Sequence, residues 1–260
     1  MYTIEIVSAQ GQVKHSAAGT SYAQMYYTQA YEPGDCIHFS AEEPHCAIQA
    51  DATLPEALLY LAQKQMTFAI PFGDLKTMYA PQAFLGTGHM ISLRPARVEE
   101  LYARRNLALN PYDQRFYEGC YPHAEANVET RDEPSFFARN AIDGVKFNIS
   151  HGHWPFHSWG IGGREDAALT LHFGRSVLID EIGITLRADF PHDSWWEKGT
   201  LTLSDGKQIE LAFEKTGETQ YFPIGDHEVH WVRLLSLKKA ADPSPFPGLT
   251  QLEAFGMDIP

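Results

Sequence analysis

Short apolar segments separated by turn residues are the feature that most restricts the fold of this chain. Residues 200–203 and 208–213 flank a segment whose central Asp-Gly is the dipeptide preferred in a type I′ hairpin turn. Further strands are predicted at residues 168–173, 178–187, 220–224, 228–237 and 250–255. Strands of this length and spacing are typical of a β-sandwich or a jelly roll.

The first part of the chain carries the same kind of pattern. Residues 2–7 alternate between apolar and polar side chains, as a half-buried strand does. Residues 57–62 are ambiguous, because Thr53 and Glu56 have the spacing of a helix capping box, whereas a strand at 66–71 would complete a hairpin. We predict a strand there. The other strands predicted in this part are at residues 36–40, 46–49 and 90–93.

One helix is predicted, at residues 95–105. Pro95 suits the first turn of a helix, and the apolar residues that follow fall on one face. Glu100 and Arg104 have the spacing of a stabilising ion pair on a helix surface. The segment is therefore expected to connect the two groups of strands.

The expected fold class is all-β, with two jelly-roll-like β-sandwich domains at residues 1–94 and 106–260 joined by this short helix. A length of 260 residues fits one large or two small domains, and an apolar share of 44% is enough to bury a core. With 20 basic and 33 acidic residues, the formal charge is −13. Because phosphate neutralisation needs a basic excess, this charge disfavours binding to nucleic acid or to an anionic membrane.

Cysteine usage and the amino terminus bear on the cellular compartment. Cys36, Cys46 and Cys120 are too few for a disulfide framework, and free thiols fit a reducing compartment. The spacing leaves a single Cys36–Cys46 bond open. The first residues lack the basic and apolar regions of a secretory signal, and no apolar run is long enough to span a membrane. We predict a cytoplasmic protein.

Aromatic and histidine residues concentrate in two predicted loops. Residues 150–160 and 187–196 contain four of the five tryptophans and four of the twelve histidines. Aromatic rings in a loop are either tucked under the sandwich or presented to a ligand. The first role is favoured for Trp159 and for one of Trp195 and Trp196.

The second role would make Trp154 and the other member of the tryptophan pair a platform for a sugar. A sugar ring has an apolar C–H face that suits an aromatic plane, and a rim of hydroxyl groups that suits charged and polar side chains. The polar side chains expected at this rim are Arg187, Asp189, His192 and Asp193.

The same loops allow two catalytic alternatives. His151 and His153 would project to one side of an extended segment, and with His157 they could hold zinc or another transition metal. Asp189, His192 and Asp193 could instead serve as a general acid and base. Cys120 has no evident base partner and is not expected to be a nucleophile.

Three segments of the second part resemble a known family. Residues 106–110 with 124–128, the sequence Ala-Arg-Asn-Ala-Ile-Asp-Gly at 138–144, and the strand at 249–256 occur in the expected order. Through them, residues 106–256 resemble the galactose-binding-like β-sandwich of discoidin and coagulation-factor C-type domains, a family that includes many carbohydrate-binding modules. The resemblance implies an eight-stranded jelly roll with ligand loops at one end.

The resemblance also implies a structural calcium ion and no organic cofactor. Calcium prefers six to eight oxygen ligands, and the matching positions are Asn140, Asp143, Asn148 and Glu253, with a main-chain carbonyl at 139 or 140. The sequence departs from the family after Gly144, where the segment before Trp154 is enlarged. The alternative is that Asp143 only caps a turn.

The predicted function is non-catalytic binding of a mono- or oligosaccharide. By the family topology, the proline-spaced loop at 242–247 lies beside the other two loops, which adds Phe246 as a wall of the site. The complete predicted ligand set is His151, His153, Trp154, Arg187, Asp189, His192, Asp193, Trp195, Trp196 and Phe246. The alternatives are a sugar-active enzyme (a lyase, hydrolase or isomerase) and an assembly or scaffold protein, and an oligomer is compatible with either.

Overall fold

The first part of the chain forms strands that alternate between buried and solvent-facing residues. In the computed structural model, which describes residues 1–116, 119–189 and 194–259, Ile4 and Ile6 are fully buried while the side chains between them face outward. These strands are β1 (Tyr2–Val7), β2 (Val13–Gly19), β3 (Ala23–Tyr27), β4 (Cys36–Ser40), β5 (His45–Gln49), β6 (Ala57–Leu61), β7 (Gln65–Ala69) and β8 (His89–Pro95). The ambiguous segment is thus a strand, as predicted. The strand β2 was not predicted, because its sequence does not alternate and most of it is exposed.

These strands make two antiparallel sheets that enclose the first hydrophobic core. One sheet has the order β2-β1-β4-β7, and the other has β6-β5-β8-β3 with a short further strand on β6. Side chains from both sheets, such as Phe39 and Phe68 from one and Ile48 and Leu93 from the other, belong to a single buried cluster. The all-β fold class is confirmed for this part of the chain.

The helix is shorter than predicted. It is a single turn, α1 (Val98–Tyr102), because Pro95 ends β8 instead of starting a helix. Glu100 caps this turn by accepting a hydrogen bond from the Arg97 N–H at 2.7 Å, and it pairs with Arg94. The predicted partner Arg104 instead binds Asp180 at 2.7 Å.

The second part of the chain forms one larger antiparallel sheet. The strands in this part of the chain are β9 (Arg105–Asn106), β10 (Cys120–Tyr121), β11 (His123–Ala126), β12 (Trp159–Gly160), β13 (Leu169–Leu186), β14 (Trp196–Leu203), β15 (Gln208–Ala212), β16 (Gln220–Lys239) and β17 (Gly248–Asp258). The main path is β12-β17-β13-β16-β14-β15, with β11 on β13 and β9 on β17, whereas β10 belongs to the first part and pairs with β6. Short 3-10 turns lie at Gly73–Met78, Thr130–Asp132, Pro134–Phe136 and Ala138–Ala141.

In two places, two strands that the sequence predicts separately form one long, irregular strand, β13 and β16. The segments predicted at 168–173 and 178–187 join in β13, whose register on β16 shifts between His172 and Val177. Gly174 lies in this irregular stretch with a φ of 69°, and a Cβ there would be 2.2 Å from the ring of Tyr121. Such irregularities bend a strand, so that β13 and β16 surround the second hydrophobic core.

The segment that follows α1 contributes to both cores. Leu107 belongs to the second core, whereas Tyr112 and Cys120 belong to the first. The hydroxyl of Tyr112 donates to the Pro55 carbonyl at 2.7 Å, and Cys120 lies opposite Leu61 in the β10–β6 pair. The predicted limit between residues 105 and 106 therefore does not separate the two cores.

The three cysteines are free thiols. Cys36 and Cys46 lie on strands of different sheets, so the bond left open by their spacing is not formed. Cytoplasmic location stays a prediction. None of the helices in the described ranges is long and apolar enough to cross a bilayer.

Candidate functional site

A pocket lies where the strands β13 and β17 bring two loops together. The Arg187 N–H, just past the end of β13, donates to the carbonyl of Gly248 at the start of β17 at 3.0 Å. This contact holds the two loops side by side at the edge of a pocket of about 490 Å³. The pocket is lined by Thr130, Arg131, Phe136, His151, Gly160, Ile161, Gly162, Arg187, Pro243, Ser244, Pro245, Phe246 and Pro247.

A chain of charged and polar groups connects three loops at this pocket. Arg187 donates to the main-chain carbonyl of Phe246, and its Nε lies 2.8 Å from Asp189 Oδ1. The other carboxylate oxygen of Asp189 contacts His151 Nδ1. The side chain of Asp189 is 3% exposed, whereas that of His151 is 45% exposed. The buried carboxylate of Asp189 therefore holds the more exposed imidazole of His151 at the surface of the pocket.

The environment of Arg187 affects its acidity in two opposing ways. Burial lowers the pKa of Arg187, and the charge and hydrogen bonding of Asp189 raise it, with a net result below the usual value. A buried guanidinium with one carboxylate partner costs less free energy than an unpaired one. The pair is therefore a neutral, preorganised wall of the pocket.

Two phenylalanine rings provide apolar surface at the pocket. Phe246 is 53% exposed, and its ring lies beside Gly163, where a Cβ would be 3.9 Å from the ring edge. Phe136 also lines the pocket and is buried. The Arg131 guanidinium lies 5.5 Å from the centre of the Phe136 ring, a distance typical of a cation–π contact.

Arg131, which lines the pocket, and Asp132, which follows it, are two successive residues in the left-handed region. Arg131 has a φ of 53° and Asp132 a φ of 57°, which is uncommon for residues other than glycine. Both side chains are held by ion pairs, Arg131 with Glu133 at 2.6 Å and Asp132 with Arg115. Strained backbone of this kind clusters at ligand sites in other proteins.

Of the predicted ligand residues, the structure places only some at the pocket. His151, Arg187 and Phe246 line it, and Asp189 supports two of them. His153 is exposed nearby, but it does not belong to the lining. The predicted residues His192 and Asp193 lie outside the described residues.

The tryptophans do not form the predicted platform. Trp154 packs against the first core, and its main-chain N–H donates to the Thr77 carbonyl at 2.7 Å. Trp196 is 1% exposed and lies beside Trp159 in the second core, with the two rings tilted by 41°, while the partly buried Trp195 packs against the same core. The expectation that Trp159 and one of the pair are plugs agrees with this arrangement. The platform does not form because these apolar rings cover the hydrophobic cores instead of facing solvent.

Sequence reasoning missed the segment around residues 130–136 and the role of a glycine run. Gly160 allows a close approach, because a Cβ there would be 2.6 Å from Thr130 Oγ1 and 3.1 Å from the Phe136 ring. A run of glycines at 160–163 is visible in the sequence, and such runs often mark close backbone contacts. The contribution of Thr130 and Phe136 had no comparable signal.

The residues expected to bind calcium are engaged by hydrogen-bond donors. Asp143 is buried and accepts from His157 Nε2 at 2.5 Å, from Arg139 Nη1 at 3.4 Å and from Gln251 Nε2 at 3.0 Å. Burial raises the pKa of Asp143, but the nearby His157 and Arg139 lower it by more. The net pKa is therefore below the usual value. Hydrogen-bond donors, among them the Arg139 guanidinium, thus already occupy the surroundings of this carboxylate.

The other three predicted calcium ligands point to different partners. Glu253 accepts from Lys146 Nζ at 2.6 Å, and the Asn148 amide donates to two main-chain carbonyls at 2.7 Å each. Asn140 accepts from Arg139 at 3.2 Å. Since calcium requires several converging oxygens free of cationic donors, this set does not fit a calcium ion.

The three histidines of the enlarged loop have different surroundings. His157 binds Asp143, His151 contacts Asp189, and His153 is exposed. Across the described ranges, three or more histidine, cysteine or acidic side chains do not gather in a group that could hold a metal.

Comparison with known proteins gives matches at the level of solved structures. No protein-family model and no curated protein matches this sequence. A family 32 carbohydrate-binding module from C. perfringens NanJ, solved with galactose, has a TM-score of 0.39 and 18% identity, over 51% of this chain and 91% of its own. CpGH89CBM32-5 from Clostridium perfringens, solved with GalNAc-β-1,3-galactose, has a TM-score of 0.40 and 19% identity, over 51% and 94%.

A third similar structure is the lectin domain of Lectinolysin complexed with Lewis B antigen. Its TM-score is 0.43 with 12% identity, over 58% of this chain and 96% of its own. The solved structures named here are thus carbohydrate-binding modules and a lectin domain. Because the TM-scores lie below 0.5, this likeness does not assign the chain to a family or give it a ligand.

Proposed function

We propose that this chain is a carbohydrate-binding protein and that its saccharide site is the pocket formed by the loops around His151, Arg187 and Phe246. The observation that carries the proposal is that an exposed aromatic ring and a preorganised set of polar groups line the same pocket of about 490 Å³. The Phe246 ring offers an apolar plane for the C–H face of a sugar. The imidazole of His151 offers a polar group for its hydroxyls.

Charge balance at the site favours a neutral saccharide. Each guanidinium of the lining has a carboxylate of its own, Arg187 with Asp189 at 2.8 Å and Arg131 with Glu133 at 2.6 Å. An anionic sugar would have to compete with these carboxylates for the same donors. A neutral sugar can instead accept hydrogen bonds from the remaining N–H groups without displacing a charge.

Binding without catalysis is the form of the proposal that the contacts favour. Glycoside hydrolysis ordinarily uses a pair of carboxyl groups, one on each side of the scissile bond. Asp189, the carboxylate that contacts two residues of the pocket, is buried and engaged by both Arg187 and His151. It supports the wall of the pocket and is not directed at a substrate.

Calorimetric titration with neutral sugars tests the proposal. Galactose, N-acetylgalactosamine, fucose, glucose and their disaccharides would be titrated into the wild type and into Phe246→Ala. We expect at least one sugar to bind the wild type and the variant to bind it roughly tenfold more weakly, because one stacking contact is lost. Phe147→Ala is the matched control, since Phe147 is another exposed phenylalanine, at 62%, and does not line the pocket.

The same titration separates the proposal from its alternatives. Equal affinity of Phe246→Ala and the wild type for every sugar that binds would place the site elsewhere on the molecule. Conversion of a bound disaccharide into new products would identify a sugar-active enzyme instead. In that case His151→Ala would abolish turnover while leaving Phe246 in place.

A further inference from the structure

The outer face of the sheet β6-β5-β8-β3 carries a regular array of aromatic, amide and hydroxyl side chains. The pairing of the strands arranges them in rows across the sheet. Tyr26 lies opposite Met90, and in the next row Gln24 lies opposite Ser92, which lies opposite Gln49 on its other side. Two adjacent depressions of about 330 and 440 Å³ follow this face and share Gln24 and Ser92.

The aromatic rings of this face are exposed and supported from below. Tyr26 is 65% exposed and Tyr22 is 56% exposed, and Met90 beside Tyr26 is 59% exposed. Gly88, with a φ of 100°, lies against the hydroxyl of Tyr26, and a Cβ there would be 2.7 Å from that oxygen. The absence of a side chain at Gly88 thus lets the Tyr26 ring rest on the backbone with its other surface open.

A row of polar groups lies between the two rings. Gln24 stands between Tyr22 and Tyr26 along the strand, and its row continues through Ser92 to Gln49. A protein–protein interface usually has the opposite arrangement, with an apolar centre and a polar rim. A polymer of sugars needs this alternation, because amides and hydroxyls can both donate to and accept from its hydroxyl groups while rings cover its C–H faces.

The face is also close to neutral in charge. Arg94, which lies on β8, is paired with Glu56 at 2.6 Å and with Glu100 at 2.8 Å. Arg97, which lines one of the depressions, balances the second carboxylate. A neutral chain therefore fits this face better than an acidic one.

From these observations we infer that the outer face of β3, β8 and β5 is a second saccharide site, which takes an unbranched neutral oligosaccharide lying along β3. Tyr22 and Tyr26 are four residues apart, which corresponds to roughly 13 Å along a strand. A ligand that contacts both rings must be longer than one sugar unit. The inference is independent of the pocket at Phe246, since the two sites share no residue.

Titration of the full chain with β-1,4-linked hexasaccharides of glucose, xylose and N-acetylglucosamine, and with the three monosaccharides, tests the inference. We expect one hexasaccharide to bind at least tenfold more tightly than its monosaccharide, because several contacts act together. Tyr26→Ala should weaken this binding roughly tenfold, and Gln24→Ala should weaken it as well. Tyr221→Ala is the matched control, since Tyr221 is 52% exposed and lies on β16 in the other part of the chain.

Each outcome supports or overturns the inference. Unchanged hexasaccharide binding by Tyr26→Ala, or no binding of the three hexasaccharides to the wild type, would overturn it. A fall in sedimenting mass in Tyr26→Ala would also overturn it, because the face would then be a contact between proteins. Phe246→Ala decides the pocket separately: its failure to affect any sugar would contradict the proposed function and leave the effect of Tyr26→Ala standing.

Discussion

The Nε2 atom of His157 lies 2.5 Å from the Oδ2 atom of Asp143, and both side chains are buried. Arg139, which is 2% exposed, approaches the same carboxylate oxygen at 3.4 Å. The contact joins the enlarged loop that carries His151 to the turn at Ala138–Ala141. The position of the pocket loop therefore depends on a buried polar cluster behind it.

Asp143→Asn should destabilise the protein strongly. The substitution removes the negative charge that faces Arg139 and His157 in a buried site, and breaking a buried pair typically costs about 3–5 kcal/mol. Urea unfolding at neutral pH measures the loss. Asp166→Asn is the control, because its ion pair with Arg164 is exposed and screened by solvent, so its loss should change stability little. Equal losses in the two variants would contradict a special role for the buried cluster.

Removal of metal should leave stability unchanged. Donors from Arg139, His157 and Gln251 surround Asp143, so the site that the sequence suggested for calcium has no room for a second cation. Thermal unfolding followed with EDTA and then with added calcium should give the same midpoint within error. A midpoint that rises with calcium would show that an ion binds at this or another site.

Acid should remove stability through Asp258. Burial raises the pKa of Asp258, but hydrogen bonds and charges from His45, Arg175 and Arg105 lower it, with a net value well below the usual range. Because the folded pKa lies below the unfolded value of about 3.9, the stabilisation is complete above that pH and is lost as pH falls below it. Midpoints of urea unfolding at a series of pH values test this.

The variant Asp258→Asn provides the comparison for the acid titration. It should be less stable than the wild type at neutral pH. The difference between the two should shrink below about pH 4, where the Asp258 carboxylate of the unfolded wild-type chain begins to protonate while that of the folded chain is still charged. A constant difference over the whole range would mean that another group governs the acid response.

Trp154→Ala should affect stability and not sugar affinity. The indole is partly buried against the first core, so its removal should lower the free energy of unfolding by about 2 kcal/mol, somewhat less than for a fully buried tryptophan. Phe147→Ala, at an exposed position, should cost far less. Loss of sugar binding in Trp154→Ala at unchanged stability would place the ring in the ligand site.

Strand positions were largely predictable because they depend on local patterns. Residues 2–7 and 36–40 alternate in sequence, and the observed strands have the same limits. The segment with the Asp-Gly pair joins β14 and β15 as expected. The turn is not of the predicted type I′, because that geometry needs a positive φ at both central residues, and of the two only Gly206 has one, at 92°. The strand β2 escaped prediction because an exposed edge strand needs no apolar face.

The set of residues that line the candidate site was less predictable than the strands. His151, Arg187 and Phe246 are 36 to 95 residues apart in sequence and meet only because β13 and β17 pair and hold their loops together. Trp154 was a reasonable ligand candidate by composition, yet the first core is close enough to cover it. Thr130 and Phe136 joined the pocket through the glycine at 160.

By itself, the sequence determined the class of fold, the position of most strands and the two loops in which aromatic and charged residues concentrate, because these follow from side-chain periodicity and turn chemistry between near neighbours. Only the tertiary structure decided which of those side chains share a pocket, which plug a core, and that Asp143 faces Arg139 and His157. Burial and pairing between distant residues depend on how sheets pack and bend, and that information is not contained in any short segment of the chain.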